Sequence, residues 1–205
     1  MRLMKEGPHP YQEISLGTAG LILGIILVAV YGFMFLKTDA SKKIAQKLPR
    51  NADLGTYFMG FGMVWFWLLV APPDKGIFSA LSMDLGEFNK VKTYLMIGVP
   101  LFCVGMIVYV REFLFVRGLG LCLLMASAPL LYASDFEDAP LQFLMPAVCY
   151  LMIIKGLYFV GMPYLFRDWV NWVTASDTRW RGLALGGLAL GLVFMTLGLT
   201  AWRGY

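Results

Sequence analysis

Six blocks of apolar residues, separated by short polar segments, run the length of this chain: 15–36, 54–71, 93–110, 113–133, 141–166 and 182–202. Each is long enough for a helix to cross a bilayer core of ~30 Å, which takes about 20 residues, or somewhat fewer where the bilayer thins. The second block, with 18 residues, is near the short limit. The fifth, with 26, has to tilt, kink or run beyond the core. The pattern predicts an all-α integral membrane protein, a six-span transmembrane helix bundle with short loops, forming one domain over 1–205.

The fourth block is the least regular. Arg117 lies close to its start and Pro129 interrupts it. An arginine near a helix end can extend its guanidinium to the interface while its stem stays among apolar groups. Only Arg111 and Glu112 separate the third and fourth blocks, which therefore read as a helical hairpin. The distribution of basic residues argues that the fourth block crosses, because cytoplasmic loops carry an excess of Lys and Arg. With six crossings, Lys37, Lys42, Lys43, Lys47, Arg50, Arg111, Arg117, Arg167, Arg179 and Arg181 share one side, ten against the six of Arg2, Lys5, Lys75, Lys90, Lys92 and Arg203. Without the fourth crossing the split is eight against eight. The expected location is a bacterial cytoplasmic (inner) membrane, with both termini extracytoplasmic. The first block is longer than the usual ~7–15-residue apolar region of a signal peptide and has no A-x-A site after it, so it is read as a retained span.

Two connecting segments read as amphipathic and interfacial. In 76–89, Ile77, Phe78, Leu81, Leu85 and Phe88 recur at helical spacing, leaving Asp84 and Glu87 for water. In 167–181, Trp169, Trp172, Val173 and Trp180 form an apolar face beside Arg179 and Arg181. Tryptophan next to arginine suits a membrane–water boundary, which makes Trp169, Trp172, Trp180, Arg179 and Arg181 the expected interfacial anchors. The segment from Lys37 to Asp53, with five basic and two acidic residues, is expected to rest on an anionic leaflet.

Composition agrees with this picture. The 205 residues are 59% hydrophobic and only 15% charged, with a mean hydropathy of +0.69, whereas soluble domains carry about 25% charged residues. The net charge of +4 comes from Lys and Arg flanking the apolar blocks. That arrangement points to anionic lipid headgroups as partners and away from nucleic acid. Cys103, Cys122 and Cys149 lie inside apolar blocks at spacings that match no metal motif, and read as small buried apolar residues.

Glycine and proline mark where the spans meet and bend. Gly17, Gly20 and Gly24 line one face of the first span, and Gly187 and Gly191 one face of the last. The four-residue spacing Gly20–Gly24 and Gly187–Gly191 lets helix backbones approach closely. These are the expected helix-packing residues, either between first and last spans or in self-association. The run 186–191 mimics a nucleotide-binding pattern, but no strand precedes it and no ribose-binding acid follows. Pro100, Pro129 and Pro146 fall in the third, fourth and fifth blocks, where each removes a backbone donor and frees a carbonyl one turn earlier. Such a carbonyl needs another partner at membrane depth.

One charge stands apart. Lys155 lies near the middle of the fifth block, where an ammonium costs about 2.5 kcal/mol or more. Tyr158 shares its face, and Gln142 and Tyr150 add polar capacity on the same block. Lys155, Tyr158 and Gln142 are the ligand or ion-pair candidates. The bland alternative is a lysine that reaches along the bundle to the surface. No intramembrane acid is available to neutralise it, so an ion pair would need a partner subunit or an anionic ligand. The one histidine, His9, argues against histidine-ligated haem or metal, and no catalytic residue, metal site or cofactor is expected. The acidic trio Asp135, Glu137 and Asp138 reads as a solvated turn. Three functions remain. The first is a non-catalytic accessory or assembly subunit of a membrane complex, associating with other membrane subunits or with itself. The second is a small permease or channel for an anionic or small polar solute working around Lys155. The third is an intramembrane enzyme, for which nothing positions a substrate.

Overall fold

A computed structural model describes residues 9–72, 81–134 and 139–204. Among them every regular element is helical. The helices are α1 (Leu16–Leu36), α2 (Thr38–Lys47), α3 (Ala52–Val70), α4 (Lys92–Tyr109), α5 (Leu114–Ala133), α6 (Leu144–Gly161), α7 (Pro163–Thr174) and α8 (Asp177–Leu199). Short 3-10 turns cover Pro10–Glu13, Leu48–Arg50 and Gly86–Val91, the last running directly into α4. Six helices, namely α1, α3, α4, α5, α6 and α8, are long and apolar enough to cross a membrane. They match the six apolar blocks. Their outer surfaces are apolar too: Ile22, Ile97, Leu101 and Leu157 are each more than half exposed.

The fourth block, the least regular in sequence, forms the centre of the bundle. From Phe113 to Leu131 no residue of α5 or its cap is exposed. It packs along α3 on one side and α6 on the other. Glycine makes both contacts close. A Cβ on Gly118 would lie 2.6 Å from the Met59 nitrogen, and one on Gly55 would lie 2.5 Å from the Phe115 nitrogen, so α3 and α5 run parallel with backbones touching. On the other face, Gly120 and Gly156 face each other across α5 and α6, each within 2.9 Å of the other's carbonyl oxygen if given a Cβ. The α4–α5 connection is as tight as expected. Phe113 closes it in the left-handed region at φ 56°, where an L-residue costs roughly 1–2 kcal/mol.

α1 and α8 form a second, antiparallel pair. A core at the end carrying both termini joins it to the α5–α6 pair, through Leu16, Leu23, Ala133, Met145, Cys149, Phe194 and Trp202. Trp202 is fully buried, stacks edge-on against Phe194 at 5.7 Å and donates its indole N–H to the Pro140 carbonyl at 2.8 Å. At the opposite end a smaller core unites Phe115, Val116, Phe166 and Val170, with Ala45, Leu48 and Phe159 packed around it. This end gathers α2 and α7 and is called the basic end below.

The fifth block differs from expectation. It is not one 26-residue span. Residues 141–143 form a turn, α6 covers 18 residues, and the chain breaks at Met162 (φ −130°, ψ 65°) before α7 begins at Pro163. Pro163 is the cause: it cannot donate to a continuing helix but suits the first position of a new one. Pro146 likewise falls in the first turn of α6, where no intrahelical bond exists to be lost.

The interfacial segments also differ. α7 is a helix, as the sequence suggests, but it starts earlier and ends before Trp180, which belongs to α8. In 76–89, residues 76–80 lie outside the described residues. Residues 82–85 are irregular, followed by the 3-10 turn. Asp84 explains this: its carboxylate accepts hydrogen bonds from the Gly86 amide at 2.8 Å and from the Asn89 side chain, and Gly86 adopts φ +58°. An Asx turn of this kind competes with helix. The second amphipathic helix is instead α2, inside the segment expected to rest on a leaflet.

Packing of this kind sets a prediction. Gly118→Leu and Gly120→Leu lower the melting temperature of the detergent-extracted protein, at a cost of about 1–3 kcal/mol or more from overpacking. Gly60→Ala, whose Cβ meets nothing within 4 Å, is neutral or gains up to about 1 kcal/mol from helix propensity. Thermal unfolding of the three variants measures the difference.

Candidate functional site

Lys155 is the twelfth residue of α6, six residues from its last, Gly161. Six residues of helix rise about 9 Å, so the lysine stands closer to the basic end than a 26-residue span implies. Its side chain is exposed, beside Leu151, Ile154 and Tyr158, each about half exposed on the outer arc of α6. Among the described residues Lys155 has neither hydrogen bond nor ion pair. Gly156, next in sequence, faces inward and packs on α5. Tyr158 shares the exterior position. Gln142 does not join them. It lies in the turn before α6, thirteen residues or about 20 Å along the axis, with its Oε1 buried and without a hydrogen-bond partner among the described residues.

The freed proline carbonyls do not serve Lys155 either. Pro100 leaves the Met96 carbonyl without its intrahelical donor, and the Trp67 indole N–H of α3 supplies the bond instead, at 2.9 Å. A kink that would expose a polar atom becomes a clamp between α3 and α4. Nothing in the apolar spacing of the blocks reveals it. The signal available was a tryptophan in one span and a proline in the next.

Glycines expected to pack are all turned inward within one chain. A Cβ on Gly17 would lie 2.6 Å from the Trp202 carbonyl oxygen, one on Gly20 2.7 Å from the Trp202 ring, and one on Gly24 2.8 Å from the Met195 nitrogen. Gly191 meets the Val28 nitrogen at 2.9 Å, and Gly187 faces the Tyr31 ring.

At the basic end, α7 presents three faces. Phe166, Val170 and Val173 are buried against the bundle. Leu165, Trp169 and Trp172 form an exposed apolar stripe. Arg167, Asp168 and Asn171 complete the circle, Arg167 and Asp168 paired at 2.8 Å. A helix with one side to protein, one apolar and one polar fits a membrane–water boundary. Arg179 sits over the Trp172 ring, 4.4 Å from its centroid, and donates to the Trp172 carbonyl at 3.2 Å. Arg181 is exposed. Trp180 is a different case: it is buried, and its indole donates to the Met34 carbonyl at 3.3 Å. With the Thr38 hydroxyl on the Phe35 carbonyl at 3.2 Å, it meets two of the C-terminal carbonyls that α1 cannot bond internally. Trp180 is therefore a clamp between α8 and α1 rather than a boundary anchor. α2 is tied to the same end by Gln46, which donates to the Thr174 hydroxyl at 3.0 Å, and by the Lys42–Asp177 ion pair. Arg117 lies on α5 at this end, partly buried, its Nε without a hydrogen-bond partner among the described residues.

The terminal end is organised around His9 and Tyr11. His9 donates through Nε2 to the Leu81 carbonyl at 3.2 Å and accepts the Tyr11 amide at Nδ1. Tyr11 is buried, and its hydroxyl accepts the Trp65 indole N–H. Burial pushes its phenol up from the usual value, and the Trp65 bond offsets part of that shift. Lys92, the first residue of α4, is also buried, at 6% exposure. Sequence reading passed over it because it flanks a span rather than interrupting one.

A cleft of about 340 Å³ opens between α3, α4 and α5, lined by Met63, Phe66, Leu95, Gly98, Val99, Phe102, Leu121 and Met125. None of these carries a polar side chain, and Lys155 is not among them. No group of three His, Cys, Asp or Glu side chains among the described residues is placed to hold a metal ion. Asp135, Glu137 and Asp138 lie outside the described residues.

Comparison with known protein families, curated proteins and solved structures finds no match to this chain.

Trp180→Phe keeps the ring but leaves the Met34 carbonyl with only the weaker Ser41 contact, and is expected to cost about 1 kcal/mol in thermal unfolding. Asp177→Asn is expected to cost less. The Asp177 side chain is 74% exposed, and an ion pair that open to water contributes little and weakens with salt.

Proposed function

We propose that this chain is a polytopic integral membrane protein acting as a non-catalytic accessory or assembly subunit of a membrane complex. In this reading the α2–α7 end rests on the anionic cytoplasmic leaflet and both termini are extracytoplasmic. Support for insertion comes from six long apolar helices whose outer surfaces are themselves apolar. Exposed Lys37, Lys43, Lys47, Arg179 and Arg181 at the basic end support the orientation.

The single observation that favours an assembly role is the position of Lys155. It points away from its own bundle, among apolar residues on the outer arc of α6, with no partner among the described residues. An acidic side chain on a neighbouring subunit would stabilise a charge held there. The permease reading has less support, because it requires Lys155 to line a polar cavity, and the cleft beside α4 is apolar and excludes it.

Two measurements test this. The chain is expected in the membrane fraction after carbonate washing, and release by carbonate would overturn the membrane reading. A tagged copy extracted in mild detergent is expected to migrate with partner subunits. Lys155→Arg keeps them, whereas Lys155→Leu loses at least about tenfold in retention, equivalent to ~1.4 kcal/mol or more. Migration of the wild-type chain only as a lone monomer removes the assembly reading.

A further inference from the structure

Lys92 is the most deeply buried charge among the described residues, and its setting differs from that of Lys155. Only 6% of it is exposed, and its one polar contact among the described residues is the Ser82 hydroxyl at 3.3 Å. That hydroxyl already donates its proton to the Ala71 carbonyl at 2.6 Å, so it can only accept from the lysine. An ammonium has three donors, and two find no acceptor among the described residues. Glu87, the described carboxylate nearest in sequence, is exposed and forms no ion pair with Lys92, and Asp84 forms none either and is engaged by Gly86 and Asn89. The Asp84 carboxyl is held below the usual range by those bonds first, with a smaller contribution from Lys92. A buried ammonium with one neutral partner calls for an anion.

Lys92 is not itself part of the cleft lining, but the helical register puts it on the cleft-facing side of α4, one turn before the first lining residue of that helix. Leu95 and Val99, three and seven residues further along α4, share the face of Lys92, and both line the cleft. α4 leans on α3 and makes no extensive contact with α5, which leaves the cleft open between them. Its volume of about 340 Å³ falls in the ~300–1,000 Å³ range of sites that hold small organic molecules. It is too small for a further helix, which is about 10–12 Å across with its side chains. The lining offers no hydrogen bond, so the body of the occupant is hydrocarbon.

We infer that the cleft between α3, α4 and α5 is a binding site for one anionic lipid of the leaflet at the terminal end, its acyl chain in the cleft and its acidic headgroup on Lys92. The inference rests on the membrane-spanning part of the reading above and not on the assembly role. Charge complementarity selects the headgroup, and the apolar lining accepts the chain without selecting it. Gly98 gives a clean probe of the chain site. It lines the cleft, and a Cβ there meets nothing within 4 Å, so a larger side chain fills space without displacing backbone.

The test is native mass spectrometry of the full chain purified from mixed micelles of equal phosphatidylglycerol and phosphatidylcholine. Wild type is expected to retain one phosphatidylglycerol with about five-fold preference over phosphatidylcholine, the order of one lysine's contribution to anionic lipid binding. Lys92→Gln retains lipid but at the input ratio, and Gly98→Leu loses retention of both. Melting temperature is measured alongside. If Lys92→Gln does not fold, Lys92→Arg takes its place and is expected to keep the preference. Equal retention of the two lipids by wild type, capture of an uncharged lipid in preference, or an unchanged preference in Lys92→Gln overturns the inference. Each of these results is readable in a protein that is in the membrane fraction, so failure here is distinct from failure of the membrane reading.

Discussion

Backbone-to-backbone contact along α5 is the constraint on which this architecture depends. Where lipid surrounds a helix, burying an apolar side chain gains little, since the surroundings are as apolar as the side chain. Association then rests on close van der Waals contact, and only residues without a Cβ permit it at these crossings. Gly55 and Gly118 seat α3 on one side of α5, and Gly120 and Gly156 seat α6 on the other. The α1–α8 pair repeats the device with Gly17, Gly24, Gly191 and Gly198. Trp202 then fills the space left above Gly17 and Gly20 and ties this pair to the α5–α6 connection. Two glycine-seated units thus become one bundle through a core at the terminal end, of which Trp202 is the largest buried side chain, and a smaller core at the basic end.

Polar backbone atoms follow the same economy. The Met96 carbonyl freed by Pro100 is met by Trp67, and the Met34 carbonyl at the end of α1 is met by Trp180. The Pro140 carbonyl is met by Trp202. In each case an indole contributes apolar bulk and one N–H together, which suits a site needing both. Three of the chain's six tryptophans are used in this way, and they lie at three different helix contacts. The exposed pair, Trp169 and Trp172, instead forms part of the apolar stripe of α7.

Two lysines divide the functional argument. Lys155 stands out in the sequence because apolar residues surround it, yet in the fold it is exposed and within about 9 Å of a helix end. Lys92 looks ordinary in the sequence because it flanks a block, yet it is buried with one neutral partner. Linear neighbours do not report burial. The difference arises because the 3-10 turn Gly86–Val91 extends α4 beyond its apolar block, carrying Lys92 inward, while Pro163 shortens α6 and brings Lys155 toward its end.

Six helices long and apolar enough to cross a membrane were legible from the chain alone, because hydrophobic block length is a local property. The tight α4–α5 hairpin was legible for the same reason, with only Arg111 and Glu112 between two apolar blocks. The pairing of α1 with α8 was only suggested, since the spacing Gly20–Gly24 and Gly187–Gly191 announces close contact without naming the partner. Pro163 did carry the signal for the break after α6, but a count of apolar residues passes over it. What only the tertiary structure decided is which helix is central, which carbonyl each indole meets and which lysine is buried. Those depend on contacts between residues distant in the chain, and composition and periodicity along one segment contain no information about them.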